Sequence, residues 1–320
     1  MAGIIASALM GVAAASAGDA LPYTVPVYGV SVEANIVYSV TDGYWTEGPD
    51  HGIPPAGYWT KPLGPRHPLG LKMDIYTPDG DASKTRPLLL MMHGGAYLIG
   101  SKNELGQTEW CKHFASLGYV AVSIDYRLGF PLNRQGILKA EADALVDARS
   151  ALKYLLGRED LRIDPQRVFA AGTSAGGALA LGLAYGSTAA ANDTHSSSAS
   201  DAVPESTLPS YRILAIGNLW GYVRDLSVLE TARVPIISFQ SELDPVVPYQ
   251  EGFPLGIRLA GKAYGTKAVY DKARSLGIPA EHTSTPEKAH RLHLDKDGVI
   301  TPHFYEIRDA LTSFFAGFLK

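Results

Sequence analysis

The chain has 320 residues, 46% of them hydrophobic and 19% charged, with a net charge of −4 at neutral pH. This is ordinary globular composition, long enough to bury the core of a large α/β domain. The mild negative balance offers no basic face for a nucleic-acid partner, and one cysteine, Cys111, excludes an intramolecular disulfide framework.

The chain opens on an apolar, small-residue stretch, MAGIIASALMGVAAASAGDA, with an Ala15-Ser16-Ala17 cleavage pattern. The run is too short to span a bilayer, and the first basic residue is Lys61. The expectation is a signal-like segment over 1–17 and export to the periplasm or medium, either with an atypical signal or from a start further upstream. A cytoplasmic location follows if the segment is not a signal. No other stretch is long and apolar enough for stable membrane anchoring. Residues 18–66 read as an N-terminal strand and an aromatic loop arm, and 67–320 as the main domain, one domain overall.

Residues 30–40 and 69–78 alternate in the manner of half-exposed antiparallel strands. Between them the loop carries Gly-Tyr-Trp-Thr twice, at Tyr44-Trp45 and Tyr58-Trp59. Its aromatic pairs either line a cleft or, as the favoured expectation, pack the arm onto the domain. Continuous apolar runs follow at 87–93, 119–125, 167–172, 212–217 and 235–240, the mark of strands buried on both faces. Helical patterns at 104–117, 137–156, 176–185, 262–276 and 302–319 separate or follow them. Strands alternating with helices predict a mostly parallel sheet covered on both faces. Cys111, inside the first helical pattern, is expected to be a buried structural thiol. The Ser/Ala-rich stretch 186–210 reads as a surface loop or small lid and contains an Asn192-Asp193-Thr194 sequon.

The strongest chemical signal is Gly172-Thr173-Ser174-Ala175-Gly176, a G-x-S-x-G pattern between a buried strand and a helix. A sharp strand-to-helix turn lifts the Ser174 hydroxyl clear of the sheet, and the flanking glycines avoid clashes. A Ser/Gly-rich helix start is the bland alternative, and the strand before it argues against that. Upstream, the run 87–93 ends in His93-Gly94-Gly95-Ala96. The N–H groups of Gly94 and Gly95, with that of Ala175, are the candidate donors for a developing oxyanion. His93 reads as structural.

At these residues the chain resembles the α/β-hydrolase fold family, in its bacterial esterase/lipase branch with an H-G-G oxyanion motif. That branch includes feruloyl- and acetyl-esterase-like and kynurenine-formamidase-like enzymes. The resemblance runs from about residue 67 to the C-terminus and includes SIDYRLG (123–129), RIDPQRVFAAGTSAGG (162–177) and SELDPVVPYQEG (241–252). Ala96 stands where a third glycine is usual. The family's order of Ser, acid, His implies Asp244 as the acid, with Glu242 two residues nearer the strand as the alternative. Asp125 precedes the nucleophile and is expected to pair within its own Asp-Tyr-Arg turn.

Among His282, His290, His293 and His303, the resemblance favours His290, in the loop after a final edge strand that would contain His282. His303 is expected one turn into the last helix, and His293 packed near the site. A glycine usually stands on either side of this histidine; here Ala289 and Arg291 do. A metal reading of His290 and His293 lacks the further ligands and the i, i+4 spacing that zinc sites use.

The implied protein is a serine hydrolase of carboxylic esters, acting on a small-molecule or polymer-derived ester with no cofactor or metal. Amide hydrolysis by the same triad is the alternative within enzymes. A non-catalytic binding module is the alternative outside them, and such modules lose a triad member that this chain keeps.

Overall fold

The structure, a computed structural model, describes residues 22–49, 63–186 and 210–319. The signal-like segment, the Tyr58-Trp59 pair and the sequon lie outside the described residues.

Two long strands, β1 (Gly29–Gly43) and β2 (His67–Asp79), form the antiparallel pair expected from their alternation. Then come β3 (Arg86–Met92), helix α1 (Leu105–Ser116), β4 (Val120–Ile124), α2 (Arg134–Leu156), β5 (Ile163–Thr173) and α3 (Ala175–Tyr185). After the segment 187–209 the chain continues as β6 (Ile213–Leu219), β7 (Ile236–Ser241), the short strands β8 (Glu251–Gly252) and β9 (Ala263–Tyr264), α4 (Thr266–Ser275), β10 (Ala280–Thr285) and α5 (Pro302–Ala316). The main sheet has eight strands in the order β1-β2-β4-β3-β5-β6-β7-β10. From β4 to β10 all pairs are parallel, and β2 joins β4 antiparallel.

The strand side chains alternate between two cores, which is why the runs read as continuous apolar sequence. Leu88, Leu90, Val122 and Ala170 face α2 and α3, while Leu89, Met91, Phe169 and Phe239 face α1 and α5. On the second side Trp110, Phe114, Phe304 and Phe315 fill the layer, and Cys111 is buried among them as expected. Burying a side chain of this size contributes roughly 1.5–3 kcal/mol. No helix among the described residues is long and apolar enough to cross a membrane.

Strand β1 forms one edge of the sheet, and its pairing with β2 breaks register twice, between Glu33 and Ile36 and between Val37 and Ser39. The arm after it packs down onto the domain. Trp45 bridges Leu128 through the backbone and its indole N–H donates to Leu98 O at 2.9 Å.

Three expectations need correction. The helix predicted from 262 starts at Thr266, because β9 is taken by pairing with β8 and Gly265 N–H donates to Gln250 O. His303 is the second residue of α5 rather than a turn inside it, since Pro302 opens the helix. Asp125 does not pair within its own turn: its Oδ1 accepts Lys102 N–H at 2.7 Å, while Arg127 forks onto Asp147 of α2 at 2.7–3.0 Å. Both partners lie about twenty residues away, so the turn itself could not reveal them.

Candidate active site

Strand β5 delivers the chain to Ser174, whose φ is +53° and ψ −114°. An L residue adopts that conformation only under strain, at a cost of order 1–3 kcal/mol. The turn survives because it is held from both sides. Ser174 N–H donates to Leu219 O at 2.8 Å, and α3 begins at the next residue, Ala175. Gly176 passes so close to β3 that a Cβ there would stand 2.0 Å from Met92 O.

The segment after β3 curls beside this turn. Gly95, Ala96, Tyr97 and Gly100 all have positive φ, and Leu98 and Ile99 N–H close the turn on Gly95 O at 2.9 and 3.1 Å. Ala96, standing where a third glycine is usual, adopts the left-handed conformation at φ +53°. Gly94 lies against the Ser174 turn: a Cβ there would be 3.3 Å from Ser174 Cβ and 3.1 Å from Thr173 O. His93 is buried, stacked on Tyr126 with ring centroids 4.2 Å apart, and burial pushes its pKa down to about 4. It is a neutral packing residue that helps hold the loop.

The loop after β7 brings Asp244 in from the next strands. Its side chain is fully buried; Oδ1 accepts Val246 N–H at 2.8 Å and Val247 N–H at 3.1 Å, and Oδ2 accepts Gln240 Nε2–H at 3.1 Å. Three donors therefore converge on the carboxyl group and fix its orientation. Glu242, the alternative acid, is turned toward β10, where its Oε1 accepts the Ser284 hydroxyl.

The loop between β10 and α5 carries the histidines. The Ser241 hydroxyl ties it to β7 through Glu287 O. His290 Nδ1 is 2.9 and 3.0 Å from the two Asp244 oxygens, and its Nε2 is 2.8 Å from Ser174 Oγ. His293 turns away into the interior, with Nε2 2.6 Å from Glu104 Oε1 and its ring between Trp110 and Trp220. His282 lies within β10 and contacts Thr266 Oγ1, and His303 bonds Glu306 and Glu287 on the surface. The two histidines of the H-x-x-H pattern therefore point to different partners, and no group of three or more His, Cys, Asp or Glu among the described residues is arranged to hold a metal ion.

The structure thus brings together Ser174, His290 and Asp244, with Gly94 beside Ser174 and Ala175 at the start of α3. Sequence reasoning passed over Gln240 and Glu104. The only trace they leave in the sequence is a polar residue closing an apolar strand run, as in PIISFQ, or standing just before a helix, and that trace does not tell a buried partner from solvent.

Comparison with solved structures gives the same fold. Esterase 2 of Thermogutta terrifontis in its apo form is 21% identical, with a TM-score of 0.55 over 78% of this chain and 90% of that one. The same protein phosphorylated by paraoxon is 22% identical, with a TM-score of 0.56 over 78% and 89%. At that identity the likeness establishes the α/β-hydrolase fold. Among curated proteins, non-reducing polyketide synthases are similar over part of the chain. The synthase pkbA of Emericella nidulans is 38% identical over 119 residues, 37% of this chain, and prhL of Penicillium brasilianum is 38% identical over 127 residues, 38% of this chain. The aligned part spans only 5% of the length of either synthase. The family model BD-FAE matches residues 73–232, half of the chain, and the chain belongs to that family.

Proposed function

We propose that the protein is a serine hydrolase that cleaves carboxylic esters. The observation that carries this reading is the single hydrogen-bonded line from Asp244 through His290 to Ser174 Oγ. His290 Nε2 takes the Ser174 proton as Oγ attacks the ester carbonyl, and Asp244 holds the imidazole in the Nδ1–H tautomer and stabilises the imidazolium without accepting its proton. The backbone N–H groups of Gly94, Gly95 and Ala175 receive the negative charge that develops on the carbonyl oxygen. His290 then protonates the departing alcohol. Water activated by the same imidazole attacks the acyl-enzyme, releasing the acid and restoring Ser174.

Membership of the BD-FAE family and the fold shared with an esterase support the reading. Solved forms of that Thermogutta esterase are described with propionate and with butyrate bound, which favours short acyl chains here.

The test is a panel of p-nitrophenyl esters of increasing chain length beside matched aryl amides, with a fluorophosphonate probe run in parallel. Turnover of short esters, with labelling that Ser174→Ala removes, is the expected result. Faster turnover of amides than of every ester would reassign the substrate class. Failure of the probe to label the wild type would remove the nucleophile.

A further inference from the structure

We propose that Gln240 is the positioning residue for Asp244, completing one hydrogen-bond chain that runs from His282 through Thr266, Gln240, Asp244 and His290 to Ser174. The inference rests on the triad reading above and extends it to three residues that never touch substrate.

The chain's polarity follows from donor and acceptor chemistry. Gln240 is fully buried at the end of β7. Thr266 N–H can only donate, and it points at one end of the Gln240 amide at 3.1 Å, so that end is the oxygen, Oε1. The other end, Nε2, must then face Val247 O at 2.9 Å, which can only accept, and Asp244 Oδ2 at 3.1 Å. The Thr266 hydroxyl gives its proton to Gln240 Oε1 at 2.8 Å, which leaves its oxygen to accept from His282 Nε2 at 3.0 Å. Every donor and acceptor of the Gln240 amide is engaged, so the group cannot turn.

The geometry shows what this does for Asp244. Two backbone N–H groups hold Oδ1, Gln240 holds Oδ2, and His290 Nδ1 lies against both oxygens. Without Gln240 the carboxylate is free to swing about Oδ1, and the imidazole bonded to both oxygens would swing with it. A displacement near 1 Å at a reacting group is enough to lose about a hundredfold in rate. At the far end, burial first and then Lys267 press the His282 pKa down to about 4, against the opposing charges of Asp271 and Glu242. His282 is therefore a neutral donor, and the line carries no second charge toward Asp244. The ionisable groups around the line are His290 on the loop after β10, His282 on β10, Lys267, Tyr270 and Asp271 on α4, Tyr249 in the loop after β7, and Glu242 beside Asp244, with the Tyr249 and Tyr270 rings 5.6 and 5.5 Å from that of His282.

The experiment compares Gln240→Met, Gln240→Glu and Thr266→Val with the wild type on p-nitrophenyl acetate, with active sites counted by fluorophosphonate titration. Gln240→Met should lower kcat about 10- to 100-fold with KM within about threefold. Thr266→Val keeps the backbone donor to Gln240 and should cost only a few-fold. In Gln240→Glu a protonated carboxyl can still donate to Asp244, and an ionised one repels it. That variant should approach wild-type kcat/KM at the acid end of the profile and fall at alkaline pH where the wild type does not.

Rescue at low pH is a result that simple loss of packing cannot produce. If Gln240→Met does not fold, the Gln240→Glu profile decides alone. Gln240→Met within twofold of wild-type kcat, or a Gln240→Glu profile that superimposes on the wild type, would overturn the proposal while leaving the triad intact, provided Ser174→Ala is inactive. Hydrolysis undiminished in Ser174→Ala would overturn both readings together.

Discussion

His293 Nε2 and Glu104 Oε1 meet at 2.6 Å inside the protein, three residues along the chain from His290 and eleven from His93. The contact clips the loop carrying His290 to the end of the segment that carries Gly94 and Gly95. The flanking rings of Trp110 and Trp220 lie 5.0 and 5.1 Å from the imidazole. His293→Ala would leave a cavity between two indoles and a buried carboxyl with no partner, at a cost of about 3–5 kcal/mol. Urea unfolding should show that loss, while kcat per titrated active site should stay within about tenfold of wild type. Wild-type stability in His293→Ala would mean that the contact does not hold in solution.

The neighbouring histidine should behave in the opposite way. His290→Ala and Ser174→Ala are each expected to cost about 10⁴- to 10⁶-fold in kcat/KM toward short esters, and the double variant little more than either, because the groups act as a unit. Thermal melts should move by only a few degrees. Additive losses in the double variant would count against a shared proton transfer.

The two glycines next to the Ser174 turn are expected to separate folding from turnover. Gly95 has φ +112°, and a Cβ would stand 2.0 Å from Ile99 O, so Gly95→Ala should fail to give soluble protein. Gly94 has ordinary φ and its Cβ would meet Ser174 Cβ at 3.3 Å, which a small shift can relieve. Gly94→Ala should fold, with kcat lowered about 10- to 100-fold as the methyl crowds the space beside Ser174. Soluble expression together with an ester assay on the two variants checks both halves.

How much of this was legible in the sequence depends on what each residue's neighbours in the chain reveal. The central strands were readable because burial on both faces writes a continuous apolar run. Ser174 was readable because the close approach at Gly176 leaves a pattern of letters. Gln240 was not, since one amide after PIISF looks the same whether it faces a carboxylate or solvent. The partners of Asp125 and Arg127 were hidden for another reason: they sit on α2 and at the head of α1, brought in by tertiary packing. The start of α4 was misplaced because β9 continues the helical pattern in letters while its backbone pairs with β8.

Asp125 supplies a prediction on stability. Burial raises its pKa to about 7, against the lowering effect of the Lys102 N–H and ammonium, and Oδ2 has no hydrogen-bond partner among the described residues. The unfolded chain would lose this proton near pH 3.8. Between the two values the folded state holds more protons, so this group's contribution to stability falls as pH rises toward 7. Asp125→Asn keeps the acceptor for Lys102 N–H and removes that slope. Its melting temperature relative to wild type should rise between pH 4 and 7, with the gain greatest above pH 7. A constant difference across the range would show that Asp125 carries no such shift.

The two register breaks in β1 bear on how the molecule behaves at high concentration. A fifteen-residue strand on the rim of a sheet, with Val32, Val37 and Val40 exposed, offers its outer row of amides to any extended chain that passes. The breaks at Glu33/Ile36 and Val37/Ser39, with Asn35 in the left-handed conformation, cut that row into short pieces that a straight strand cannot match over its length. The irregularities thus interrupt a surface on which one molecule could stack on the next, and restoring a regular ladder there is expected to promote fibre-like association while leaving Ser174, Asp244 and His290 untouched.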